Sequence, residues 1–326
     1  MVIRYLHLTF SLQAEEEIIL PAYKGSVLRG GFGNIFKKIV CVMKKEACSN
    51  CILKAQCAYS YIFETSPPEG TELMAMAKYE AIPRPFIIEP PEDTKRSYRD
   101  GEEINFNLIL IGRAINYLPY FILAFDEFGR FGIGKYKGKF HLKEIDNRGR
   151  LIYSEKEKNL KLIDPEVFEI PEEFALSEAF SHEMDLTIDF FTPVRIKHQR
   201  DLVADLEFHV LIRSILRRLC LLSYFHGEMR EPAWKQKEII DAAKEVRIKR
   251  KSLRWYDWER YSGRQKTKMM LGGLIGQISY EGKIGPFLPF VKATEIFHVG
   301  KSTAFGLGKY KILDGRQGTI EGQERR

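Results

Sequence analysis

The chain has 326 residues, 44% of them hydrophobic and 29% charged, with a formal net charge of +7. That length suits two ordinary domains with real cores, and no apolar run approaches the roughly 18 residues of a membrane span. Between Arg195 and Lys268, 19 Lys/Arg stand against 10 Asp/Glu. The positive excess of the whole chain therefore lies in one segment, which favours RNA or DNA as partner over an acidic metabolite; the plainer alternative is a generally basic surface.

Met1–Gln13 alternates like a strand and lacks the apolar stretch and small-residue cleavage site of a signal peptide, so a cytoplasmic protein is expected. Residues 21–38 place Val27, Leu28, Phe32, Ile35 and Phe36 at helical spacing. Gly30, Gly31 and Gly33 weaken that helix intrinsically, so something must approach its backbone closely. A cysteine segment at 41–57 and an extended, proline-rich stretch at 81–91 follow. Then come a strand (103–112), a helix (117–128), a glycine turn and a strand (139–145). The acidic, aperiodic residues 161–182 are expected to link two domains, 1–160 and 183–313. The second begins with a strand (183–197) and a long helix (203–225), in which Arg213, Arg217 and Arg218 are expected to face away from the core and Cys220 to lie in it. A strand (268–280), a short helix (286–294) and a closing strand (310–313) complete it, before a polar tail (314–326) expected to be disordered.

One phrase occurs twice. Phe-Gly-Ile-Gly-Lys-Tyr-Lys at 131–137 returns as Phe-Gly-Leu-Gly-Lys-Tyr-Lys at 305–311, and each follows a Leu-Pro-aromatic step, at 118–120 and 288–290. The offset is of domain length, which implies two copies of one unit. Each half reads strand, helix, strands, helix, glycine turn, strand. That is the order of the split β-α-β, ferredoxin-like unit, an antiparallel sheet with helices on one face and the other face free. The fold class is thus α+β, two such units in tandem, with the cysteine segment inserted in the first.

Three segments carry candidate chemistry. Gly300-Lys301-Ser302 imitates part of a P-loop, but Glu295 stands where the first glycine is required, which excludes triphosphate binding. The glycines instead suit a loop whose backbone approaches a phosphodiester, with charge from Lys301 and Lys309; a turn serving chain geometry alone is the alternative. Residues 244–270 interleave Arg247, Lys249, Arg250, Lys251, Arg254, Arg260, Arg264, Lys266 and Lys268 with Trp255, Tyr256, Trp258 and Tyr261. Cations neutralise phosphates and aromatic faces stack on unpaired bases, a combination suited to single-stranded or stem-loop RNA; alternatively the aromatics are core and the charges merely solvated. Cys41, Cys48, Cys51 and Cys57 have a spacing that suits a structural zinc, with an iron–sulfur cluster or free thiols as alternatives and no open position for metal catalysis.

Trp258–Ser262 through Gly272-Gly273, His298–Lys301 and Phe305–Tyr310 resemble the C-terminal signature of the CRISPR precursor-RNA processing endoribonucleases of the RAMP superfamily. Phe191-Thr192-Pro193-Val194-Arg195, Arg217-Arg218, Leu28–Gly33 and the cysteine segment extend the resemblance over most of the chain. It implies tandem ferredoxin-like domains. It also implies cleavage of CRISPR repeat RNA by metal-independent attack of a ribose 2′-OH, leaving a 2′,3′-cyclic phosphate and a 5′-OH. The chain departs from the family in one respect: its first helix has no histidine, and Asn34 stands where one could face the site.

The chemistry needs a base, a donor to the leaving oxygen and charge for the phosphorane. The candidates are His298 beside the glycine loop, or Lys37 or Lys38 with Tyr23. His198 and His209 are weaker candidates, and His7 is expected to be structural. The RNA-binding set comprises Arg29, Arg247, Lys249, Arg250, Lys251, Arg254, Arg260, Tyr261, Arg264, Gly300, Lys301, Ser302 and Lys309. The partners implied are CRISPR repeat RNA and CRISPR effector subunits, with no membrane, for a monomer or homodimer. A non-catalytic RNA-binding subunit is the competing reading, and a zinc enzyme at the cysteines a third.

Overall fold

The computed structural model describes residues 1–44, 46–65, 67, 82–170, 182–198, 201–262 and 267–313, with backbone alone at 259–262 and 267–270. The chain divides into two compact units. The first is Met1–Glu169 with Cys220–Glu231 and Ala304–Gly306; the second is Ile170–Leu219, Pro232–Thr303 and Leu307–Arg326. No helix among the described residues is long and apolar enough to cross a membrane.

The first unit contains β1 (Val2–Ala14), β2 (Ile18–Ile19), α1 (Gly25–Val40), α2 (Ala58–Phe63), β3 (Phe86–Glu89), β4 (Ser97–Tyr98), β5 (Glu103–Ile111), α3 (Leu118–Phe131), β6 (Phe140–Asn147), β7 (Arg150–Ser154) and β8 (Glu166–Glu169). Its sheet has the antiparallel order β3-β5-β1-β6-β7. Taking β1, β3, β5 and β6 as first to fourth, that order is second, third, first, fourth, which is the split β-α-β arrangement. Alternation along β1 sends Leu6, Leu8, Phe10 and Leu12 into the core and His7, Thr9 and Gln13 to the opposite face. Phe32 of α1 stacks on Phe125 of α3 with centroids 4.8 Å apart and an 8° interplanar angle. Part of the expected linker is sheet: β8 pairs with Val2–Tyr5, and Tyr5 donates to Glu166 at 2.9 Å.

The second unit contains β9 (Met184–Val194), β10 (Lys197–His198), β11 (Asp201–Leu202), α4 (Phe208–His226, belonging here as far as Leu219), α5 (Gln236–Ala242), β12 (Arg247–Tyr256), β13 (Glu259–Ser262), β14 (Thr267–Met270), β15 (Gly273–Gly282), α6 (Leu288–Phe297) and β16 (Tyr310–Leu313). Its antiparallel order β12-β15-β9-β16 repeats the first unit's plan. The chain is thus two ferredoxin-like units in tandem. Arg218 corrects one reading of α4: Arg213 and Arg217 are exposed, but Arg218 is buried. The basic segment also gains a form. β12 and β13 run out, β14 and β15 return, and the join is kept by the Leu271 amide donating to the Trp258 carbonyl at 2.7 Å. β9 pairs with this ribbon only from Leu274 to Gly282, so the rest extends past the sheet.

The two copies of the repeated phrase share their glycine geometry but not their setting: the first follows α3 directly and keeps Lys135–Lys137 in a turn, whereas Tyr310 and Lys311 of the second already belong to β16. Pro119 and Pro289 sit in the first turns of α3 and α6, where no amide donor is needed. Gly132 and Gly134 have φ of 75° and 81°, and Gly306 and Gly308 have φ of 84° and 73°. A Cβ at Gly132 would collide with the Lys137 carbonyl, and one at Gly308 with the Val299 carbonyl.

The glycines of α1 divide by what faces them. A Cβ at Gly31 would strike the Phe128 ring and one at Gly33 would come 3.1 Å from Phe63, whereas at Gly30 nothing lies within 4 Å. Gly30→Ala is therefore expected to stabilise the protein by about 1 kcal/mol, the helix-propensity difference alone. Gly31→Ala and Gly308→Ala are expected to destabilise it by more than about 1 kcal/mol through overpacking and strain. Urea denaturation of the three variants checks the opposite signs.

Candidate nucleic-acid interface

β12 lies at the edge of its sheet, and every residue along it is exposed except the half-buried Leu253. Five of its ten side chains are cationic. Lys249 is held by Asp185 at 2.7 Å, with Glu281 at 3.8 Å, and Lys251 pairs with Asp205. The hydrogen bond to Asp185 keeps the Lys249 ammonium charged to higher pH than usual. Among the described residues no carboxylate pairs with Arg247, Arg250 or Arg254, and the Arg254 guanidinium lies 5.9 Å from the Tyr256 ring centroid. Trp255 and Tyr256 are 43% and 38% exposed, whereas Trp258 is buried. The open aromatic faces and unpaired guanidinium groups thus occupy one strand. The side chains of Arg260 and Tyr261, and all of Arg264, lie outside the described residues.

The glycine loop is tightly held. The amides of Val299, Lys301 and Gly308 donate to the carbonyls of Gly308, Arg195 and Pro193 at 3.1, 2.8 and 3.1 Å, and the Lys309 amide donates to Thr192 Oγ1 at 2.9 Å. These amides are spent within the protein, so the loop does not offer them to a phosphodiester. Its outward chemistry is the exposed Lys301 side chain, beside the half-buried Gly300, Ser302 and Lys309. His298 is fully buried at the end of α6, with φ 56° and Nδ1 3.1 Å from the Leu307 carbonyl. A ring with no exposed surface does not meet an RNA ribose, so His298 holds the loop. Arg218 Nε donates to the Phe297 carbonyl at 2.7 Å, satisfying the last turn of α6. Burial lowers the Arg218 pKa to about 9.

In the first unit, the Tyr23 hydroxyl donates to the Phe305 carbonyl at 2.6 Å; burial, and then the Glu89 carboxylate, push its pKa far up. Arg29 lies between two rings, 5.1 Å from the Phe63 centroid and 4.8 Å from Phe305. Lys37 Nζ lies 5.1 Å from the Tyr59 centroid, and Lys38 Nζ 4.3 Å from Phe131. Tyr23 precedes α1, whereas Lys37 and Lys38 occupy its last turn. At 1.5 Å per residue they are about 20 Å apart, so they do not act together on one phosphate.

The cysteine expectation is corrected. Cys41 follows α1, Cys48 opens a 3-10 turn, Cys51 closes it and Cys57 precedes α2. Among the described residues no three His, Cys, Asp or Glu side chains are gathered to hold a metal ion. The spacing suited a tetrahedral site, but the intervening turns do not converge the four thiols.

The seven histidines sort by surroundings. His226, like His298, is fully buried, bonded to the Pro83 carbonyl at 2.7 Å and Tyr61 at 3.2 Å. His7 lies 3.8 Å from Glu89, and His141 lies between Glu15 and Glu155. His182 is exposed. His198 and His209 meet edge to face, with ring centroids 6.2 Å apart and planes at 85°, and Glu207 Oε2 lies 3.2 Å from His209 Nδ1. Sequence spacing ranked this pair low because a hairpin and a helix start, 11 residues apart, bring it together.

Residues 3–165, half of the chain, match the AF_1859_N family, described as an N-terminal domain. Residues 188–310 match the family described as CRISPR-associated endoribonuclease Cas6. An uncharacterized protein of Archaeoglobus fulgidus is 23% identical over 306 residues, 90% of this chain and 92% of that protein. A Cas6 product complex from Thermus thermophilus shares the fold, with a TM-score of 0.53 at 14% identity over 95% of this chain and 100% of that one. So does a chain of a partial Cas6-RT-Cas1–Cas2 complex, with a TM-score of 0.56 at 15% identity over 97% of this chain. This chain spans 47% of that chain's length.

Tyr23 is a test of the local assignments. Tyr23→Phe removes the bond to the Phe305 carbonyl and is expected to cost about 1 kcal/mol of stability, read as a lower urea midpoint at unchanged slope.

Proposed function

Because the chain belongs to the Cas6 family of CRISPR RNA-processing endoribonucleases, within the RAMP superfamily, we propose that it binds CRISPR repeat RNA and cleaves it in the cytoplasm. The reaction is metal-independent attack of a ribose 2′-OH on the adjacent phosphate, giving 2′,3′-cyclic phosphate and 5′-OH ends. One observation supports the RNA reading above the others: an edge strand exposed at every residue but Leu253, with Trp255, Tyr256 and three arginines that pair with no carboxylate among the described residues. Cations there neutralise phosphates, and the rings stack on unpaired bases.

For proton transfer we put forward His198 and His209. Two imidazoles at this separation can serve the attacking and leaving oxygens of one phosphodiester, and Glu207 orients one of them. The competing reading is a subunit that holds repeat RNA without cutting it; the absence of histidine from α1 favours it.

Incubation with cognate repeat RNA decides between them. Cleavage is expected to persist in EDTA and to stop when the nucleotide at the cut is 2′-deoxy. Loss of activity in EDTA, or cleavage of the 2′-deoxy RNA, would overturn the mechanism; tight binding without product over long incubation selects the second reading. His198→Ala and His209→Ala are each expected to slow cleavage 100-fold or more at unchanged RNA affinity, and wild-type rates in both variants would remove the pair from the mechanism.

Binding is also expected to weaken steeply with salt. Three arginines on single-stranded RNA correspond to a log–log slope of about −2 or steeper. Replacing Arg247, Arg250 and Arg254 together by Ala is expected to flatten the slope by about 2 for any RNA sequence, measured by filter binding across a salt series.

A further inference from the structure

Three parts of the second unit converge on Arg195, the residue that follows β9. Its carbonyl accepts the Lys301 amide at 2.8 Å, and a Cβ on Gly300 would lie 2.6 Å from the same oxygen. Its aliphatic stem passes Gly273, where a Cβ would lie 2.9 Å from Arg195 Cγ. Beside it, a Cβ on Gly272 would collide with Asp257 Oδ1 and come 2.6 Å from Trp255 Nε1. Glycine at 273 thus leaves room for the Arg195 stem, glycine at 300 lets the loop backbone close on the Arg195 backbone, and glycine at 272 leaves room for Asp257 and Trp255.

The head group is poorly matched to that position. Nε and Nη1 are both shut off from solvent, and neither has a hydrogen-bond partner. Burial depresses the guanidinium pKa, with the charge of Asp257 opposing. Among the described residues, however, no carboxylate forms an ion pair with Arg195. A desolvated, charged donor without an acceptor opposes folding, and a fold retains one where a ligand supplies the acceptor. The planar fork of a guanidinium matches the paired oxygens of a phosphate. Lys301, exposed and tied to Arg195 through the backbone, adds a second cation to the same end of β9.

We propose that Arg195 is an oxyanion-binding residue whose ligand is a phosphate of the RNA backbone. This rests on the RNA reading above and adds to it a half-buried contact at the end of the sheet, distinct from the exposed arginines of β12. A methionine at 195 keeps the stem over Gly273 and drops the orphaned donors. Arg195→Met is therefore expected to weaken repeat-RNA binding 10- to 100-fold and to flatten the salt slope by about 0.7. Its melting temperature should be equal to or above that of the wild type. Arg195→Lys, which keeps the charge without the fork, is expected to restore the slope and only part of the affinity.

Affinity of the methionine variant within twofold of wild type, or a lower melting temperature with the slope unchanged, would overturn the proposal. If the methionine variant does not fold, Arg195→Gln takes its place under the same criteria. A second arm uses inorganic phosphate without RNA, which is expected to raise the melting temperature of the wild type more than that of the variant. A wild type that ignores repeat RNA but keeps this phosphate difference rejects the RNA reading and retains the anion site. A wild type that binds RNA while showing neither the phosphate difference nor an effect of the variant rejects Arg195 alone.

Discussion

The sheet in each unit depends on a backbone reversal between the second helix and the last strand. That reversal uses left-handed backbone at two glycines, 132 and 134 before β6 and 306 and 308 before β16. A side chain there meets a carbonyl as well as an unfavourable φ, so neither steric relief nor rotamer choice could substitute for glycine. The turn brings the fourth strand of the shared plan beside the first, β6 beside β1 and β16 beside β9. In the second unit the same turn spends its amides on Pro193, Arg195 and Thr192. The end of β9 is thereby tied to the loop, the Arg195 carbonyl by the Lys301 amide.

From this platform the chemistry separates into two kinds. β12 offers charge and stacking faces to solvent, where interactions are screened and tolerant of sequence. Even there, Asp185, Glu281 and Asp205 partly neutralise Lys249 and Lys251, whereas no carboxylate among the described residues pairs with the three arginines. Arg195 is a different case, a half-buried guanidinium whose Nε and Nη1 are shut off from water without a hydrogen-bond partner, with the charge of Asp257 acting on it. Such a group contributes more to holding an oxyanion than a surface lysine does, because low dielectric strengthens the pairing. Arg218, which is buried where Arg195 is half-buried, has an internal task at the carbonyl end of α6.

Much of the fold was legible because it rests on local rules. Alternation marked β1 and β9, helical spacing marked α1 and α4, and the repeated phrase marked two copies of one unit. β12 was not legible as a strand: alternation records one wet and one dry face, and β12 has neither face buried. β8 was hidden in an acidic stretch whose pairing partner is at the other end of the unit. The site fared less evenly. Charge density pointed to the basic strand, while His298 was drawn in by its neighbours in sequence and is in fact sealed in the core. Lys37 and Tyr23 looked like one cluster in a short segment, but the helical rise separates them. The cysteine spacing suggested a shared ion, although spacing constrains how near the thiols could come and says nothing of whether the turns bring them there.

By itself the sequence determined the tandem ferredoxin-like plan, the RNA-processing family and the segment that carries the positive charge. These follow from periodicity, a duplicated turn and composition, all of them properties of neighbouring residues. Only the tertiary structure decided which charges are paired, which histidines meet and that two nitrogens of Arg195 are shut off from solvent without a hydrogen-bond partner. Burial and pairing depend on residues far apart in the chain, such as Asp205 beside Lys251 or Gly300 against the Arg195 carbonyl, and no local pattern encodes them.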